Sequence, residues 1–453
     1  MISVRFDKGT LLVEGVEPTE IPLGFRWDER VGAARAMALE YRELVQGLHD
    51  SGVPYQDDVQ DYLRFDVLEH HTDREPRDYQ LAALEHWTRA GRRGQVILPT
   101  GSGKTYVAEL CIADTRRATL VVAPTIDLVN QWQVVLEKAF DCEIGMLGGG
   151  QHELRPITVS TYDSAYLHME RYGNRFGLVI FDEVHHLPSG AWSQIAEMCV
   201  AAFRLGLSAT PERPDDAHLA LEWLVGPVVY RRGIREFAGE VLAEYDTIRV
   251  EVSLTEEEAE AYETARKTYL SFLGAKRIRV GGPGGWQRFL RTAARSKDGR
   301  AALRAHRESR RVIHEARGKL EAVEDILARH RDNRVLLFTN DNRTVYRISR
   351  EFLVPCITHE TPAAERREIL AGFSEGRWKV VVTSKVLNEG VDMPEADVGV
   401  VLSGSGTVRE HVQRLGRILR PGQDKRALLY ELVTMDTVEE KTSERRRDHD
   451  AYR

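Results

Sequence analysis

The sequence predicts an α/β protein: two open parallel-sheet lobes, a small N-terminal α/β domain before them, and a helical insertion. Three observations carry this. From residue 77, short apolar runs alternate with longer segments of helical periodicity, the pattern of βαβ units around a buried parallel sheet. That pattern stops across residues 232–330, where charge and helical spacing dominate, and then restarts. Finally, 453 residues are too many for one ordinary core.

In chain order, residues 2–14 read as a hairpin turning at Asp7–Lys8–Gly9. Residues 30–49 place Val31, Ala34, Met37, Ala38, Tyr41, Leu44, Val45 and Leu48 at helical spacing, so a helix is expected there. The polar stretch Gln56–Glu75 reads as a linker. The strands of the first lobe are expected at QVILP (95–99), TLVVAP (119–124), ITVST (157–161), LVIFDE (178–183) and FRLGLSAT (203–210). Those of the second are RVLLFT (334–339), PCITH (355–359), KVVVTS (379–384), VGVVLS (398–403) and ALLYEL (427–432). GGPGG (281–285) is expected at a loop tip.

Hydrophobic content of 42% and charged content of 29% fit a globular protein. No apolar run approaches the roughly 20 residues that span a bilayer, so no membrane partner is expected. MISVRFDKGT has no apolar signal core, which predicts a cytoplasmic, nucleoid-associated protein. The four cysteines are scattered and make no CxxC pair, so neither zinc nor an iron–sulfur cluster is expected. Net charge is −7 but unevenly spread. Residues 1–76 hold 8 Lys/Arg against 16 Asp/Glu, whereas residues 266–319 hold 16 against 3. A basic block of that density can form a phosphate-binding surface, with Trp286 and Phe289 as stacking candidates; solvated helical faces and core packing are the plainer alternatives.

LPTGSGKT (98–105) follows an expected strand and opens an expected helix, the context of a phosphate loop. Its glycines let the backbone amides of Thr100, Gly101, Ser102 and Gly103 close around phosphates. Lys104 reaches the terminal phosphates and the Thr105 hydroxyl can bind Mg²⁺. The strict pattern has Gly where Leu98 stands. LVIFDEVHH ends a second strand with adjacent carboxylates: Asp182 for Mg²⁺ and Glu183 as general base toward water. Near the C-terminus, Arg417 and Arg420 in QRLGRILRP lie three residues apart, on one helix face, and call for an anionic partner.

Taken in order, LPTGSGKT, DEVH (182–185), SAT (208–210) and QRLGRILR (413–420) resemble motifs I, II, III and VI of superfamily 2 helicases. RDYQ (77–80) resembles their adenine-reading motif. VSTYDSAYLH, FDEVHHLP and SGSGTVREHVQRLGRILRP resemble the XPB helicases, above all their compact archaeal and bacterial forms, over nearly the whole chain. The resemblance implies two RecA-like lobes and an ATP- and Mg²⁺-dependent 3′→5′ DNA helicase or translocase of nucleotide excision repair, partnered by DNA and by a repair nuclease or other repair protein. It places a damage-recognition-like domain at 1–70, the lobes at 71–235 and 236–453, and a thumb-like insertion at 256–312. It assigns Arg77 and Gln80 to adenine, Gln413, Arg417 and Arg420 to the γ-phosphate and attacking water, and Gly390 and Asp392 to the nucleotide cleft. His185, Ser208 and Thr210 become coupling residues. Thr125, Thr161, Thr339, Thr358 and Thr383 become DNA contacts through hydroxyls and backbone amides, and Arg213 and Asp215 become DNA contacts at the RED position.

One departure stands out. The family's RED motif reads RPD here, Arg213–Pro214–Asp215, and proline removes both an acid and a backbone donor. Two other readings stay open: a duplex translocase with little strand separation, and a DNA-damage binding module. The intact Lys104, Asp182, Glu183 and Arg417 argue against the second.

Overall fold

The computed structural model describes residues 1–453 except 19–23, 66, 214, 238–243, 282–283, 385–395, 404–425 and 448–453. The chain divides into two units, Met1–Arg232 and Gly233–Arg453.

The first unit opens with β1 (Ile2–Asp7), β2 (Thr10–Glu14), β3 (Arg26–Asp28), β4 (Ala33–Met37) and β5 (Tyr55–Asp58), in the order β3-β4-β2-β1-β5. The β1–β2 hairpin forms as expected. Lys8 and Gly9 both take positive φ, 46° and 82°, which a two-residue turn between twisted strands demands. The helix expected over 30–49 is shorter: residues 33–37 are strand β4, paired with β2 and β3, and the α-helix spans Tyr41–Asp50. Ala33, Ala34 and Ala36 satisfy either period, and the open edge of β2 decides for pairing. The linker expected from Gln56 likewise begins with β5, parallel to β1.

This small sheet is seated on the lobe that follows. Val200 joins the core of Val4, Leu11, Val13, Ala34, Tyr41 and Leu44. Arg42 Nη1 donates to the Gly91 and Ala202 carbonyls at 2.8 and 3.3 Å, and Asn174 Nδ2 donates to the Val59 carbonyl at 3.0 Å.

The lobe itself comprises β6 (Arg93–Ile97), β7 (Thr119–Ala123), β8 (Gly145–Gly148), β9 (Gln151–Glu153), β10 (Ile157–Thr161), β11 (Leu178–Phe181), β12 (Phe203–Ser208) and β13 (Val228–Arg231). Their order is β13-β6-β12-β11-β7-β10-β8-β9, with only the β8–β9 pair antiparallel. The central strands are apolar on both faces, as a sheet covered by helices on both sides requires. The register sets Ile97 of β6 opposite Ser208 of β12, and Phe181 of β11 opposite Gly206. Three loops therefore leave one carboxyl edge side by side, where open α/β sheets bind ligands.

The second unit has β14 (Glu244–Val252), β15 (Val335–Phe338), β16 (Cys356–Ile357), β17 (Val380–Thr383), β18 (Val398–Val401) and β19 (Arg426–Thr434), all parallel, ordered β14-β19-β18-β15-β17-β16. The basic segment between β14 and β15 folds into helices Glu256–Ala275, Gly285–Ala294 and Lys297–His314. Thr255 and Glu258 cap the first of these reciprocally. Among the described residues, no helix is long and apolar enough to cross a membrane, and no three or more His, Cys, Asp and Glu side chains cluster as a metal site.

Candidate nucleotide site at the carboxyl edge of the first lobe

The phosphate loop leaves β6 and enters helix Lys104–Thr115. Gly101 and Gly103 take φ of 84° and 81°, a region open to glycine. A Cβ on Gly103 would lie 2.7 Å from Gln80 Nε2, so this position is closed to side chains on two counts. Leu98, where the strict pattern has glycine, continues the sheet: its N–H donates to Ser208 at 3.0 Å and its side chain is buried. Lys104 Nζ donates to the Leu98 and Pro99 carbonyls at 3.2 and 3.3 Å.

Behind the loop lies RDYQ. Gln80 accepts from the Arg77 N–H at 3.0 Å and donates to the Gly103 carbonyl at 3.3 Å, while the Tyr79 hydroxyl donates to the Ser102 carbonyl. The glutamine carboxamide thus braces the phosphate loop, a role its sequence context did not announce. Tyr79, buried at the start of the helix, braces it too.

Asp182 is buried at the end of β11. Its N–H donates to Val122 at 2.8 Å. One carboxylate oxygen accepts from the Trp132 indole at 2.8 Å and the other from the Glu183 N–H at 3.0 Å. Burial raises its proton affinity, and the Trp132 indole, the Lys104 charge and the Glu183 amide oppose that. Glu183 sits in the left-handed region, φ 46°, a strained turn of the kind that clusters at functional sites. His185 is fully buried, with Nδ1 3.4 Å from Glu183 Oε2 and 3.2 Å from Ser208 Oγ. Ser208 Oγ also accepts from the Thr210 N–H at 3.2 Å. The residues expected to act in coupling thus form one contiguous chain from the DEVH turn to the SAT loop.

This set fits a magnesium nucleotide. Two positive-φ glycines shape the cradle, a lysine and Thr105 stand at the first turn of the helix, and a buried carboxylate faces the lysine charge. The buried hydroxyls of Thr100 and Thr210 make no hydrogen bond among the described residues, so the cradle retains polar capacity.

Other expected residues fall differently. Thr125 and Thr161 are exposed in part and cap the helices after β7 and β10. Thr339, Thr358 and Thr383 are fully buried, and their hydroxyls bond locally. The N–H groups of Thr339 and Thr358 are also taken, by Thr383 and Thr361. Those hydroxyls serve the fold rather than a DNA surface. Arg213 is also turned inward. It makes a two-pronged pair with Asp215 at 2.9 and 2.7 Å and donates to the His185 carbonyl at 2.9 Å and Ser189 Oγ at 2.7 Å. Phe289 is core, not a stacking surface, while Trp286 is 39% exposed. Gln413, Arg417, Arg420, Gly390, Asp392 and Pro214 lie outside the described residues. Trp132 and Tyr162, whose hydroxyl donates to the Asp182 carbonyl at 3.0 Å, were missed; on apolar faces both read as core.

Family models match in three places: the xeroderma pigmentosum group B helicase damage recognition domain at 4–59, the type III restriction enzyme res subunit at 73–213, and the helicase conserved C-terminal domain at 318–422. Over 448 residues the chain is 41% identical to the DNA 3′-5′ translocase XPB2 of Sulfurisphaera tokodaii, covering 99% of this chain and all 100% of that one. The chain belongs to the XPB family of helicases. It is 31% identical to the DNA 3′-5′ helicase XPB of Mycobacterium tuberculosis across 80% of its own length, and spans 61% of that longer XPB relative. In fold it resembles the Pyrococcus furiosus Hef helicase domain, with a TM-score of 0.55, 19% identity, and coverage of 81% of this chain and 97% of that one. The XPB assignment gives the chain helicase domains whose activity depends on a nucleotide.

Proposed function

We propose that the protein is an ATP-driven DNA translocase of 3′→5′ polarity that opens or remodels duplex DNA in nucleotide excision repair. The observation that carries this is the Asp182–Glu183–His185–Ser208–Thr210 chain beside Lys104, in a protein alike from end to end to a named DNA 3′-5′ translocase. The amides of Gly101 to Thr105 would hold the phosphates, with Lys104 as point charge. Thr105 and Asp182 would hold Mg²⁺, which when bound neutralises phosphate charge. Glu183 takes the proton of the attacking water, and its 3.4 Å contact with His185 fixes its aim. Ser208 and Thr210 carry the state of that pair toward the loop that follows. The resemblance adds Arg77 to the nucleotide, Gly390 and Asp392 to its cleft, and Gln413, Arg417 and Arg420 to the γ-phosphate and water. Thr125 and Thr161, at helix N-termini, are proposed phosphate contacts. A cytoplasmic, nucleoid-associated setting and a repair-nuclease partner belong to the same reading.

A second reading, translocation with little strand separation, draws on the RPD position. Arg213 is held by Asp215 and by the His185 carbonyl of the DEVH turn, which leaves its guanidinium committed within the lobe rather than at a junction. One experiment tests both readings: ATP turnover with duplex, forked and single-stranded DNA and with RNA, with strand release followed on the fork. DNA-stimulated turnover is expected. Stimulation by RNA alone, or none, contradicts the first reading, and strand release in step with ATP use contradicts the second.

A further inference from the structure

In the second unit, a groove of about 750 Å³ runs along helix Lys297–His314 toward Asp341–Thr344. One wall is apolar, made by Trp286, Leu290 and Leu303. Trp286 lies beside His306, ring centroids 4.9 Å apart, and leans on Phe289 at 5.2 Å. Phe289 is fully buried, whereas Trp286 remains 39% exposed. The indole is therefore anchored from behind and open in front, as a stacking platform must be.

The charges along the groove sort into two classes. Arg311 is held by Glu308 and Glu315, Arg343 by Glu315, and His314 by Asp341. The acids are thereby matched within the groove. Arg304, Arg307 and Arg310 make no ion pair among the described residues. At spacings of three residues on one helix they line the groove as an unmatched cationic row.

An anchored indole beside unmatched guanidinium groups has two complementary needs, a flat π-face and a run of phosphates. A strand of unpaired nucleotides offers both, whereas inside a duplex each base face is already covered by its neighbours. We propose that this groove is a single-strand subsite, where one unpaired base stacks on Trp286 while flanking phosphates meet Arg304, Arg307 and Arg310. The site rests on the reading of the protein as a DNA translocase and makes it more specific: the second unit distinguishes an opened strand from an intact duplex.

The test uses the full-length protein and fluorescence anisotropy with oligothymidine and with a blunt duplex of equal length. Trp286→Ala is expected to weaken oligothymidine binding roughly 5- to 100-fold and to leave duplex binding unchanged. Trp286→Phe, which keeps a ring, should restore most of the loss. Arg307→Ala should weaken both ligands and reduce the salt slope by about one. Unaltered oligothymidine binding by a folded Trp286→Ala variant overturns the proposal, as does equal weakening of oligothymidine and duplex by that same variant. So does competition by polyglutamate as effective as by oligothymidine, which would make the groove an acidic-peptide site. Failure of the translocase reading looks different: wild-type protein would show no DNA-stimulated ATP turnover whatever Trp286 does.

Discussion

Asp182 is steered by donors from two elements: the Trp132 indole on helix Ile126–Phe140, and the Glu183 amide of its own turn. Carboxylates that hold metals depend on such partners, whose loss typically lowers metal affinity or activity by about 10- to 100-fold. Trp132→Phe keeps a buried aromatic ring, although a smaller one, and removes the N–H. It should raise the Mg²⁺ concentration needed for half-maximal turnover by about tenfold, while nucleotide binding measured in a chelator stays unchanged. An unmoved Mg²⁺ midpoint would make Trp132 simple core. Its role was hidden because a tryptophan at apolar helical spacing reads as packing. Asp182 and Glu183 were legible because two adjacent carboxylates ending an apolar strand have few structural uses. Gln80 was half legible: its site was evident, its brace on Gly103 was not.

Glu109 is buried on the phosphate-loop helix, with His70 3.5 Å away. Burial lifts its carboxyl to about 7, against the pull of Arg74. A raised carboxyl binds its proton more tightly folded than unfolded. Its stabilisation is full below the unfolded value near 4.5 and is lost as pH rises through about 7. Burial shifts His70 down, which acts in the opposite sense as pH rises, so the contrast must be read by substitution. Glu109→Gln should be more stable than wild type by an amount that grows between about pH 5 and pH 8, on the order of 2 kcal/mol at the upper end. Thermal melts across that range check it; a difference independent of pH contradicts it.

At the scale of elements, the strands flanking the nucleotide site followed from short apolar runs, since both faces of those strands are buried. Several strands at or next to sheet edges did not, although the edge strand β16 did. β14 alternates charged and apolar residues, and its charges merged with the basic insertion, yet it pairs with β19 through nine registered positions. β8, β9 and β13 are short and rich in Gly or half-exposed residues. β4 carries alanines compatible with a helix, and only the neighbouring strand settles it. Arg204, at the start of β12, shows what binds elements together. It is fully buried and donates to the carbonyls of Ala196, Cys199, Ala201 and Leu224 at 2.6 to 3.1 Å. Burial lowers its pKa to about 10. These carbonyls lie in and just after helix Ser193–Glu197 and at the end of helix Leu221–Leu224, so Arg204→Met would strand several buried acceptors. A loss on the order of 3 kcal/mol is expected, seen as a clear drop in melting temperature; an unchanged melt would show that these segments hold without it.

At the scale of the whole molecule, the sequence motifs fell into the described structure unevenly. The first unit brings together Lys104, Asp182, Glu183, His185, Ser208 and Thr210 over more than 100 residues of chain, because parallel strands return their loops to one edge. The arginines of QRLGRILRP rest on family resemblance alone. The central claim is that the first unit's carboxylate chain drives ATP hydrolysis on DNA. The most direct test is duplex-stimulated ATP turnover by wild type and Glu183→Gln, with nucleotide binding measured alongside. A fall of about 10²- to 10⁴-fold in turnover with binding retained is the expected result. Equal turnover by the two proteins would contradict the account.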